Sequence, residues 1–229
     1  LKIMIKNVNK YLIYKKGKLY FEGVSLTHFK EKFSTPIFLY SISEIEDNYK
    51  LIKKSFKKIK PLICYAVKAN YNKKIINILS RLGSGTDVVS AGEMKQSLTN
   101  GVSSNKIVFS GVGKTQGEIK YALNKNIKQL NVESEEELDE IAQITKNLRK
   151  KVNICLRVNP DVDAQTHFKI STGKLEDKFG IPNSQISEVF KKFCNHKYIN
   201  IVGLSIHIGS QIQSLKPFKN AFKKIKKQI

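Results

Sequence analysis

Arginine is nearly missing from this chain. Its 229 residues carry 41 lysines and arginines against 19 aspartates and glutamates, a formal net charge of +22, yet only Arg81, Arg149 and Arg157 are arginines. Guanidinium groups read bases and phosphates through bidentate hydrogen bonds, so a basic chain poor in them is a weak candidate for specific nucleic-acid recognition. The lysines run along the whole chain, and with the abundant Ile and Asn they look like the drift of an A+T-rich coding sequence. No nucleic-acid partner is expected. Binding driven by charge alone stays open, and it would show as a steep loss of affinity with salt.

Cysteine is scarce as well. Cys64, Cys155 and Cys194 are too few and too scattered for a disulfide framework or a zinc site, and two of them sit in apolar, strand-like runs that suit reduced, buried thiols. HxH and HxxxH spacings are absent, so no metal is expected. No apolar run approaches the ~20 residues of a membrane span, and no membrane partner is expected. The opening LKIMIKNVNKYLIYKKGK is basic but lacks an apolar core and a cleavage site. It does not read as a signal peptide, which leaves a cytoplasmic location as the expectation. What remains, 41% hydrophobic with 9% aromatic residues, is the composition of a folded globular chain with one sizeable core.

From residue 60 onward a short apolar strand, a polar loop and an amphipathic helix repeat. The strands read as Leu62–Ala66, Thr86–Val89, Lys106–Phe109, Ile127–Asn131, Val152–Val158 and Ile199–Ile206, with helices at 72–82, 91–99, 115–124, 134–148, 184–194 and 215–228. Strands alternating with helices imply parallel βα units. The first five strands start at intervals of roughly 20–25 residues, which suits a (β/α)8 TIM-type barrel of which about six of eight units are present. Before residue 60 the pattern predicts a hairpin (Tyr11–Tyr14 and Lys18–Phe21, turning at Lys16-Gly17), a strand Pro36–Tyr40 and a helix at 42–58. The expected organisation is α/β: N-terminal strands at 1–35 belonging to a second, β-barrel domain, then a partial barrel at 36–229. On this reading the chain is a fragment that lacks the last two units and the rest of the β-domain.

In such barrels chemistry sits at the carboxyl ends of the strands. Those ends carry Lys68, Asp87 with Ser90, Ser110, Asn131 with Glu133, Arg157 with Asn159, and His207 with Ser210. Each has a plain reading alone: a solvated lysine, a helix-capping Asp87, a core histidine, a turn serine. Random placement would scatter them over both ends of the barrel, so their joint position is the signal. A lysine amine at a barrel mouth suits attack on a carbonyl to form a Schiff base, and pyridoxal 5'-phosphate is the cofactor that uses this most. His207 could then cover the ring, and Ser210 with the backbone of Gly209 could meet the phosphate. Gly111-Val-Gly-Lys-Thr115 imitates the end of a phosphate-binding P-loop, but the glycine required at 108 is Val108.

These residues occur in familiar runs: YAVKAN at 65–70, GTDVVSAGE at 85–93, NVES at 131–134, LRVNPDVDAQTH at 156–167, ISTG at 170–173, KFGI at 178–181 and GLSIHIGSQ at 203–211. From about residue 35 onward the chain resembles the diaminopimelate decarboxylases, pyridoxal-phosphate enzymes with an alanine-racemase-like (fold-type III) barrel. The resemblance implies that Lys68 holds the cofactor as a Schiff base, that His207 stacks on its ring, and that Ser210 touches the phosphate. It also implies that Asp87 and Arg157 line the pocket, and assigns no chemistry to Ser90 or Glu93. The implied reaction is decarboxylation of meso-diaminopimelate to L-lysine and CO2, the last step of lysine biosynthesis, by a homodimer, with this fragment inactive alone. A decarboxylase of another basic amino acid (ornithine or arginine type) and a non-catalytic pyridoxal-phosphate-binding barrel are the alternatives.

Overall fold

The computed structural model describes residues 9–163 and 179–226. The ISTG run, the end of LRVNPDVDAQTH, Lys178 of KFGI and the last residues of the predicted final helix lie outside the described residues. The chain divides between Pro61 and Leu62 into two compact units.

The first unit is built on a hairpin, as the sequence predicts. Strand β1 (Leu12–Lys15) pairs antiparallel with β2 (Lys18–Phe21), and β2 with a short β3 (Val24–Ser25). The turn residues Lys16 and Gly17 both have positive φ, the backbone that two-residue hairpin turns require. Ser25 caps a short helix α1 (Leu26–Lys32) that the residue pattern does not predict. Helix α2 (Ile42–Ser55) starts at Ser41, whose hydroxyl accepts from the Glu44 N–H at 2.9 Å. The strand expected at Pro36–Tyr40 does not form. Its residues have no ladder partner among those described, and all but Leu39 carry exposed side chains, Phe38 at 91%. An apolar run becomes a strand only when a neighbour takes up its backbone groups.

The second unit is the expected βα repeat. Strands β4 (Cys64–Ala66), β5 (Gly85–Val88), β6 (Ile107–Phe109), β7 (Gln129–Val132), β8 (Val152–Asn159) and β10 (Ile199–Ser205) lie side by side, all parallel. Their helices are α3 (Lys73–Arg81), α4 (Ala91–Thr99), α5 (Gln116–Lys125), α6 (Glu135–Leu148), α7 (Ile186–Phe193) and α8 (Lys216–Ile225). A two-residue strand β9 (Ile181–Pro182) adds to β8 at Val158 and Asn159. Neighbours in space follow neighbours in sequence, the order of a barrel wall, and among the described residues the wall does not close. No described helix is long and apolar enough to cross a membrane.

Period-two alternation sorts the strand residues between two faces. Val88, Ile107, Phe109, Leu130, Val132, Ile154 and Leu156 are fully buried and pack with Met94, Ile119, Leu138 and Ile141 of the helices in one hydrophobic cluster. Removing each such side chain from water is worth about 2 kcal/mol. The intervening residues, Asp87, Asn131, Cys155 and Arg157 among them, therefore project from the opposite face. Gly85 permits the closest approach in the wall: a Cβ there would lie 2.2 Å from the Lys106 carbonyl oxygen.

Candidate active site

Lys68 sits on a single 3-10 turn (Val67–Ala69) directly after β4. The fully buried Val67 anchors that turn, and the Tyr65 hydroxyl ties it down by donating to the Asn70 carbonyl at 3.0 Å. Asn72 then caps α3 by accepting from the Lys74 N–H. Lys68 itself is exposed at the rim of a cavity of about 230 Å³. Asp87, Arg157 and His207 line the same cavity, so four of the six site residues read from the sequence converge. Gly209 and Ser210 do not line it, and Ser210 is exposed.

Asp87 is held from behind. The Ser110 hydroxyl donates to its Oδ1 at 2.7 Å, and the Asn131 amide donates to the Ser110 oxygen at 2.9 Å. Gln129 in turn donates to Asn131 Oδ1 at 2.9 Å, so one line of hydrogen bonds crosses β5, β6 and β7. Burial raises the Asp87 carboxyl pKa, while the Ser110 bond and the Lys68 and Arg157 cations pull it back. The His207 pKa is lowered, by burial first and then by Arg157 and Lys68. That shift favours the uncharged ring, a flat face without charge.

Arg157 is paired with a carboxylate in the cavity wall. Its Nη1 donates to both oxygens of Glu133, at 2.9 and 2.6 Å, and its guanidinium lies 5.1 Å from the Phe179 ring centroid. Gly180, next to Phe179, has φ +80°, and a Cβ there would come within 3.0 Å of the Arg157 carbonyl. Phe179-Gly180-Ile181 thus brings β9 alongside β8 and Phe179 against Arg157.

Other strand-end residues have local duties. Ser90 caps α4, accepting from the Glu93 N–H at 3.2 Å, and Glu93 accepts from the Val89 N–H at 2.9 Å. The cap is therefore Ser90 and not Asp87. Asn159 Oδ1 accepts from the Asp161 N–H at 2.9 Å. Ser110, Asn131 and Glu133 stand at strand ends in the sequence pattern but were not among its site residues; only the fold shows them meeting Asp87 and Arg157. In the P-loop-like GVGKT, Lys114 turns inward, its side chain 1% exposed, and donates to the carbonyls of Gly111 and Asn131 and to Glu137. Thr115 opens α5 with a capping box to Glu118. An ammonium spent on carbonyls and a carboxylate is no phosphate cradle.

Residues 42–229 match the family described as pyridoxal-dependent decarboxylase, pyridoxal binding domain. The chain belongs to this family. Its sequence is 40% identical over 222 residues to diaminopimelate decarboxylase of Aquifex aeolicus (strain VF5), covering 97% of this chain and 52% of that protein. Among solved structures, diaminopimelate decarboxylase from Helicobacter pylori complexed with L-lysine superposes with a TM-score of 0.86 at 42% identity, over 88% of this chain and 51% of that one. The enzyme from M. jannaschii in co-complex with L-lysine gives 0.89 at 35% identity, over 96% and 53%. The chain spans about half the length of the curated relatives it matches.

The cavity fits the family's cofactor. It offers an amine for a carbonyl carbon, a neutral imidazole face for a flat ring, and a cation and a carboxyl on its wall. In addition, Ser205 lines the same space, and its hydroxyl is buried without a hydrogen-bond partner among the described residues. A buried hydroxyl of that kind calls for a polar occupant.

Proposed function

We propose that this chain is the cofactor-binding half of a decarboxylase that converts meso-diaminopimelate to L-lysine and CO2. The observation that carries the reading is the convergence of Lys68, Asp87, Arg157 and His207 on one cavity at the carboxyl ends of β4, β5, β8 and β10. Relatives at 40–44% identity bear that enzyme's name, and two structural neighbours hold L-lysine. Bound pyridoxal phosphate supplies an electron sink for the carbanion left when CO2 departs. Lys68 holds the cofactor's carbonyl carbon through its amine. His207, kept neutral, packs on the ring face, and Asp87 and Arg157 fix the polar edge of the occupant. Gly209 and Ser210, two and three residues after His207 in the chain, would take the phosphate.

The remaining assignments belong to the same reading. Residues through 35 begin a β-domain completed by further chain, the working enzyme is a cytoplasmic homodimer, and the 229-residue chain captures cofactor without turning over substrate. The experiment is reductive trapping with borohydride, followed by peptide mass mapping. Pyridoxal phosphate becomes fixed on Lys68 in the wild-type chain, and Lys68→Ala carries no label. In the full gene product Lys68→Ala abolishes CO2 release from meso-diaminopimelate, and turnover retained in that variant would overturn the assignment.

A further inference from the structure

We propose that Glu133 is a positioning residue that locks Arg157 in the cavity wall and shares out the charges there, so that Asp87 is left to face Lys68. Both oxygens of Glu133 accept from Arg157 Nη1, and Oε1 also accepts from the Gly111 N–H at 2.9 Å, joining β8 to the loop after β6. Glu133 is itself held: its N–H donates to Glu137 Oε2 at 2.8 Å, and Glu137 Oε1 takes the buried Lys114 ammonium at 2.7 Å. Glu133 and Arg157 side chains are 4% and 12% exposed, so water does little to weaken the pair.

Two consequences follow from the geometry. With Nη1 committed to Glu133 and the plane resting on Phe179, Arg157 has one orientation, and its Nε and Nη2 donors keep fixed directions for an occupant. The cavity's two cations and two carboxylates also divide into pairs. Glu133 neutralises Arg157, and Asp87, already bound by Ser110, remains as the acid facing Lys68. Without Glu133 the guanidinium would be free to turn toward Asp87 and draw it away from the lysine. The decarboxylase reading enters only in naming the occupant.

The scarcity of arginine makes the test clean, because the chain has just two other arginines to be distinguished from Arg157, Arg81 and Arg149. Phenylglyoxal attacks two guanidinium nitrogens at once, so a carboxylate holding Nη1 slows it. In the wild-type chain without cofactor, Arg157 should react about tenfold more slowly than Arg81 and Arg149. Glu133→Gln, which keeps size and loses charge, should raise the Arg157 rate by about tenfold and leave the other two unchanged. An Arg157 rate unaltered by Glu133→Gln would overturn the proposal. Should Glu133→Gln not fold, the wild-type chain decides alone. A locked guanidinium shows slow rotation, with separate Nη proton resonances for one arginine of three, and an averaged signal for Arg157 would equally overturn it. Failure of the wild type to capture pyridoxal phosphate would strike the decarboxylase reading and leave the arginine result standing.

Discussion

Lys114 shows how little a residue's local sequence says about its partners. In GVGKT it stands where a phosphate-binding lysine would, yet its ammonium is buried against two carbonyls and Glu137. Burial raises the Glu137 pKa, and Lys114 is the cation that opposes that rise. Lys114→Met would leave a buried carboxylate with its cation gone, and we expect a loss of about 3 kcal/mol, measured by urea denaturation. A loss below about 1 kcal/mol would mean that the pair behaves like a surface ion pair. The strand pattern placed Lys68, Asp87, Arg157 and His207 toward the carboxyl ends of apolar strands, which define one face of a barrel, and the family resemblance singled them out from the other polar residues there. The Glu133–Arg157 and Lys114–Glu137 pairs were not legible in the sequence, since each joins residues more than twenty positions apart.

At the scale of elements, helix starts were the most legible features. Ser41, Ser90, Thr115 and Ser134 each cap a helix whose first turn holds glutamate, a pattern visible without coordinates. Some helix ends were as legible: α6 is expected to run to 148 and does. Helix α6 stops at Arg149 with φ +52°, a left-handed conformation that costs a side-chain-bearing residue about 1 kcal/mol. Arg149→Gly should therefore raise stability by about 1 kcal/mol and the melting midpoint by a few degrees, read by calorimetry. A lowered midpoint would show that the arginine side chain contributes more than its backbone costs. The misread segment Pro36–Tyr40 marks the limit of pattern reading, because apolar content alone does not provide a pairing partner.

For the molecule as a whole, the site's titrating groups imprint a pH dependence on stability. The His207 pKa lies below its ordinary value, so the unfolded chain binds that proton more readily than the folded one. Its contribution to stability is complete above about pH 6.5 and fades as pH falls toward the lowered value. Asp87 runs the other way: its pKa is raised, so stability from its protonation is present below the unfolded value and is lost as pH rises through the folded one. Urea midpoints across pH 4 to 8 should show Asp87→Asn gaining stability at neutral pH and His207→Gln flattening the decline below about pH 6.5. Parallel curves for His207→Gln and wild type would remove His207 from that account.

The chain's own residue order was enough for the βα repeat, the parallel sense of its strands, the hairpin at Lys16-Gly17 and the location of the polar strand ends, because all of these are read from neighbours within a few positions. Which of those ends meet was decided by the tertiary structure. Strand register puts Asn131 behind Ser110 and Ser110 on Asp87, while the turn at Gly180 lays Phe179 on Arg157. Gly209 and Ser210, at the end of the same predicted run as His207, fall outside the cavity lining. Hydrogen bonds and charge pairs depend on distances of a few ångströms between residues far apart in sequence, and packing the helices onto the sheet is what sets those distances.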